Sequence, residues 1–139
     1  MCHGQSLKCI ALLLCLIALA GVSLADDVTE KCGPHPLLMR DKDGKLAWLS
    51  PQQLEERATK KVAPETLSIG GFKYEGVVSL KVMVGTTGDV ICMWGAAGHP
   101  VMISPAFKAA HEWKFKPLIH EGKPAEYLGT MRIRVATAN

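Results

Sequence analysis

Histidine and cysteine are the residues best able to ligate metals or activate nucleophiles, and in this chain they are scattered. His99, His111 and His120 have no i, i+4 helical pairing and no His-Glu-x-x-His unit, the spacing that catalytic zinc uses. Cys32-Gly33-Pro34-His35 is a loose Cys-x-x-His, whereas structural zinc takes four ligands at close spacing. Cys92 with His99 or His111 would supply a nucleophile and a base, but no third group is placed to orient the base. Packing in an apolar run accounts better for Cys92. Asp41-Lys42-Asp43-Gly44 opens like a calcium loop, yet position 52 is Gln52 where such a loop needs a glutamate, so a turn is favoured. There is no Gly-x-Ser-x-Gly, P-loop or dinucleotide fingerprint. Gly70-Gly71-Phe72 and the Gly95–Gly98 run are too short to read as phosphate cradles. The expectation is a protein that is not an enzyme and carries neither metal nor cofactor.

The elements around these residues begin with an export signal. Met1 to Lys8 is polar with one lysine, Cys9 to Val22 is almost wholly apolar, and Ser23-Leu24-Ala25 precedes Asp26-Asp27. A positive start, a short apolar stretch and a small-x-small site form a secretory signal. The run is shorter than the roughly 20 apolar residues of a spanning helix. Residues 1–25 are thus read as a signal peptide, 26–49 as an irregular lead-in and 50–139 as the folded domain. The expected location is periplasmic or secreted after cleavage; the alternative is an uncleaved inner-membrane anchor. The whole chain carries a formal charge of +3, with its charges dispersed, so no basic stripe points to nucleic acid. Removal of the signal leaves Cys32 and Cys92. Either they form a disulfide, as an oxidising compartment allows, or they are two buried thiols.

Periodicity supplies the domain. Ser50 with Pro51 and Gln53 predicts a capped helix running to about Val62 and stopped by Pro64. Glu75 to Val84 alternates with period two and predicts a strand with one buried face. Gly85 to Asp89 predicts a turn into a second strand, Val90 to Trp94. Ser104-Pro105 predicts the start of a second helix with Ala106, Ala109, Ala110 and Trp113 on its apolar face, ended by Pro117. His120 to Pro124 reads as a turn, and Tyr127 to Ala136 as the third strand. Gly129, Met131, Ile133 and Val135 point one way; Leu128, Thr130, Arg132 and Arg134 point the other. The predicted fold is α+β: a three-stranded, mainly antiparallel sheet with two helices packed on one face. One face and at least one long edge stay uncovered. An open edge is a template for an extended peptide. The bland alternative is that Arg132 and Arg134 merely protect that edge from aggregation.

The run EGVVSLKVMVGTTGDV, from Glu75, resembles the hairpin of the TonB C-terminal domain family. GHPVMISPAFKAAHEWKFKP resembles that family's helix and its Trp-x-Phe-x-Pro unit, here Trp113, Phe115 and Pro117. EGKPAEYLGTMRIRV resembles its Gly-x-Pro turn and last strand. The likeness spans roughly Val62 to Val135. Two departures stand out: Glu65-Thr66-Leu67 follows Pro64 where the family often has Pro-x-Tyr-Pro, and His99-Pro100 follows Gly98 in a loop where Ser-Gly is usual. Nor is a long Pro-rich spacer evident. The resemblance implies a periplasmic binding domain associated with TonB-dependent transport. Its partner would be an extended segment of an outer-membrane receptor or another envelope protein, joined by strand addition. The site residues implied are Leu128, Thr130, Arg132, Ile133, Arg134 and Val135. Two alternatives remain at this point: an energy transducer held by an uncleaved anchor, and a structural homodimer joined through the last strand.

Overall fold

The computed structural model describes residues 31–68 and 70–136; the apolar run read as a signal lies outside them. The chain is α+β, with a mixed four-stranded sheet and two helices. In chain order the elements are β1 (Trp48–Leu49), α1 (Pro51–Glu56), β2 (Ala58–Lys60), β3 (Glu75–Val84), β4 (Val90–Ala97), α2 (Pro100–Glu112), β5 (Lys114–Phe115), β6 (Leu118–His120), β7 (Lys123–Ala125) and β8 (Tyr127–Ala136). The main sheet runs β1-β8-β3-β4, and two small ladders pair β2 with β5 and β6 with β7.

The alternation in β3 and β8 puts Val78, Leu80, Val82, Met131, Ile133 and Val135 on one face. Both helices cover that face. α1 contributes Leu54, and α2 contributes Ala106, Ala109 and Ala110, small enough for close approach, with Trp113 following at its C-terminal end. Each buried Val or Leu stabilises the fold by about 1.5–3 kcal/mol, which is what fixes the register. At the sheet's end Tyr127 is fully buried, and its hydroxyl donates to the Lys116 carbonyl, 3.0 Å away. Burial pushes its phenol above the ordinary value.

The sheet has four strands rather than three. The lead-in adds β1, which runs parallel to β8 with Trp48 beside Leu128 and Leu49 beside Gly129. A two-residue strand has no period to read, so nothing local marks it. The second face of the sheet is also covered at one end. Met83, Trp94 and Leu128 are buried there beneath Leu38, Leu46, Trp48 and the Cys32–Cys92 disulfide. Trp48 meets Trp94 edge-on with centroids 6.0 Å apart, a favoured aromatic geometry. The Asp41 turn closes on itself, its carboxylate accepting from the amides of Asp43 and Lys45 at 2.9 Å each.

Both helix boundaries differ from expectation. Ser50 caps α1 with the full capping box, but the helix ends at Glu56 rather than near Val62. The chain turns there because Arg57 is tied to the segment after β5: its carbonyl accepts from Lys116 at 2.8 Å, and its guanidinium donates to the Lys116 and Pro117 carbonyls. Long-range pairing of β2 with β5 replaces helical hydrogen bonds that β-branched Thr59 and Val62 would have weakened. α2 starts at Pro100, not Ser104, with His99 at the N-cap and Pro105 inside the helix. The sequence offers two prolines suited to the first helical position. The earlier start wins because it buries Met102 in the core, where it is only 5% exposed.

Candidate functional site

The backbone of β8 sets the site. Residues of an antiparallel pair alternate between those bonded to the partner strand and those whose N–H and C=O point away from it. Glu126 points away from β3: its N–H donates to Leu37 at 3.0 Å, and its carbonyl accepts from Met39 at 2.8 Å. Ten residue pairs join β8 to β3 without a register shift, so the alternation carries through. Leu128, Thr130, Arg132, Arg134 and Ala136 therefore also point outward. Consistently, the Ala136 carbonyl accepts from Leu67. β1 occupies this edge at Leu128 and Gly129. Beyond it, no described strand pairs with the outward groups of Arg132 and Arg134.

These outward groups border a groove of about 390 Å³. Its far wall is the segment through Lys61, Val62 and Pro64, and Trp113 and Ile133 contribute apolar surface. The wall is held in place at two points. The Trp113 indole donates to the Val62 carbonyl at 2.9 Å, and the Lys61 ammonium contacts Glu55 at 2.7 Å. The groove thus brings together strand main chain with no strand partner among the described residues, apolar side chains and exposed arginines.

The six residues singled out from sequence divide into two groups. Arg132 and Arg134 are exposed, and Thr130 is half-buried with its hydroxyl accepting from the Trp48 indole at 3.0 Å. These three direct their main chain to the outer edge. The side chains of Leu128, Ile133 and Val135 are buried, and the main chain of Ile133 and Val135 faces β3. Leu128 has its outer edge beside β1. Sequence reasoning misses the opposite wall, since it places Val62 on a helix and reads Pro64 only as its terminator. A proline shortly after β-branched residues is the available signal that this stretch is extended.

The opposite edge of the sheet is β4, and it is built differently. Its register against β3 shifts twice, between the Ser79 and Lys81 pairings and between those of Met83 and Val84. Gly95 sits at the first irregularity with φ +60°, the left-handed conformation a bulge of this kind requires. Among the described residues no three His, Cys, Asp or Glu side chains come together to hold a metal ion. No described helix is long and apolar enough to cross a membrane. Asp89, in the β3–β4 turn, is hydrogen-bonded by Lys114 and Thr87, which hold its carboxyl below the ordinary value. That pairing fastens the turn to β5. Compared with protein families, characterised proteins and solved structures, the chain matches none.

Proposed function

We propose that this protein is an extracytoplasmic binding domain that takes up an extended polypeptide segment by strand addition along β8. One observation carries the reading: the outward N–H and C=O groups of Arg132 and Arg134 have no strand partner among the described residues and open onto the groove. Unpaired strand groups gain main-chain hydrogen bonds when a peptide aligns with them, and the groove walls select side chains. The Cys32–Cys92 disulfide fits an oxidising compartment such as the periplasm. The resemblance to the TonB C-terminal domain supports the same edge and names the partner class: a segment of an outer-membrane receptor or another envelope protein. In the fold, Trp113 of the Trp-x-Phe-x-Pro unit floors the groove, and Gly122 of the Gly-x-Pro turn adopts φ +76° between β6 and β7.

Amide chemical-shift mapping tests this. Short extended peptides with the sequences of receptor N-terminal segments should produce saturable shifts concentrated in Thr130–Ala136. A well-folded spectrum in which those amides stay fixed would remove the reading.

A further inference from the structure

We infer that the segment received by β8 carries acidic side chains at alternate positions, with apolar side chains between them; this rests on strand addition at that edge. Arg132 and Arg134 lie two residues apart on the face of β8 turned away from the helices. Arg132 makes no hydrogen bond or ion pair among the described residues. Among the described residues the Arg134 guanidinium pairs with Glu75, at 3.3 Å, with the two side chains 74% and 69% exposed. Such an exposed pair is readily exchanged for another carboxylate.

A strand laid against β8 keeps the same pleat, so its side chains on the arginine face recur at the two-residue spacing of the arginines themselves. Directly opposed cross-strand charges attract when opposite and repel when alike. On its other face the same strand meets Ile133, Val62, Pro64 and Trp113 in the groove, surfaces that favour apolar side chains. Glu55, the acidic residue at the groove, is already matched by Lys61. With Glu55 beside Lys61 and Glu75 beside Arg134, Arg132 is the cation at this edge with no carboxylate partner among the described residues, and Arg134 can exchange its exposed partner for one on the incoming strand. An acidic–apolar–acidic–apolar segment satisfies both faces at once, and a lysine-bearing one meets like charge.

Three glycine-flanked peptides separate the outcomes: Glu-Val-Glu-Val, Gln-Val-Gln-Val and Lys-Val-Lys-Val, each titrated into isotope-labelled protein. The glutamate peptide should shift the Thr130–Ala136 amides and bind on the order of tenfold more tightly than the glutamine peptide. The advantage should shrink as salt is raised. In the double variant Arg132→Glu, Arg134→Glu the preference should pass to the lysine peptide. Glutamate and glutamine peptides binding within about twofold of each other at these amides would overturn the acidic preference while leaving strand addition intact. A charge preference unchanged in the double variant would overturn it too. If no peptide moves the β8 amides, strand addition itself fails, and the acidic preference with it.

Discussion

The two long edges of the sheet are built differently. β4 has an eight-residue edge broken by two register shifts, one of them at the left-handed Gly95. β8 runs ten residues in unbroken register with β3; among the described residues β1 covers its outer side at Leu128 and Gly129, and the Leu67 amide reaches the Ala136 carbonyl at its far end. Bulges twist an edge out of the plane in which another strand would bond, so β4 is the less suited of the two to further pairing, and β8 keeps the regular geometry that the proposed strand addition needs. Regularity, rather than exposure alone, separates a protected edge from a receptive one.

The disulfide offers the largest test of this contrast, because it joins the two sides. Cys92 is in β4, and Cys32 opens the segment whose end, β1, caps β8. With the cysteines 60 positions apart, the bond should stabilise the fold by about 4 kcal/mol through loop closure. Reduction, or Cys32→Ser with Cys92→Ser, should lower the denaturation midpoint accordingly. An unchanged midpoint would show that the Trp48, Leu38 and Leu46 cluster holds the lead-in unaided.

Proline substitution separates the two sides of β8 itself. Ile133→Pro removes a donor aimed at β3 and a core side chain, and should cost roughly 3 kcal/mol or more. Arg132→Pro removes only an outward donor, so a loss on the order of 1 kcal/mol is expected together with abolished peptide binding. Thermal unfolding and peptide titration of both variants measure the difference. Equal destabilisation would contradict the alternation derived from Glu126 and Ala136.

On the β4 side, Gly95→Ala forces an L-residue into a left-handed conformation and should destabilise by about 1–2 kcal/mol. Peptide binding at β8 should be unaffected. A binding defect in this variant would mean that the edges are coupled rather than independent.

The smallest effect concerns pH. Asp89 is held below its ordinary value of 3.8, first by hydrogen bonds from Lys114 and Thr87. A depressed carboxylate contributes stability above the unfolded value and loses it as pH falls through the lower folded value. The midpoint should therefore drop slightly below pH 3.8 in the native protein and less so in Asp89→Asn. Both partners of the pair reach solvent, so salt should mute the difference.

Much of the fold was legible because burial leaves a period. The alternation from Val78 to Val84 and from Met131 to Val135 marks strands with one dry face, and Ser50-Pro51 marks a helix start. The end of α1 was not legible, since Arg57 stops the helix through the carbonyls of Lys116 and Pro117, far along the chain. The arginine side of the candidate site could be read in β8, but the wall through Val62 and Pro64 could not. That wall is held by the Lys61–Glu55 pair and by an indole hydrogen bond from Trp113, 51 residues away, which leaves no local trace.

By itself, the sequence determined the hairpin, the long last strand and the face on which Arg132 and Arg134 stand, because side-chain direction in a strand follows from order alone. Only the tertiary structure decided that Cys32 reaches Cys92, that Trp48 and Leu49 cover the first part of the β8 edge, and that Arg132 and Arg134 border a groove with no strand partner among the described residues. Those outcomes depend on which distant segments meet, and the free energy of such meetings lies in shared burial and long-range hydrogen bonds rather than in local preference.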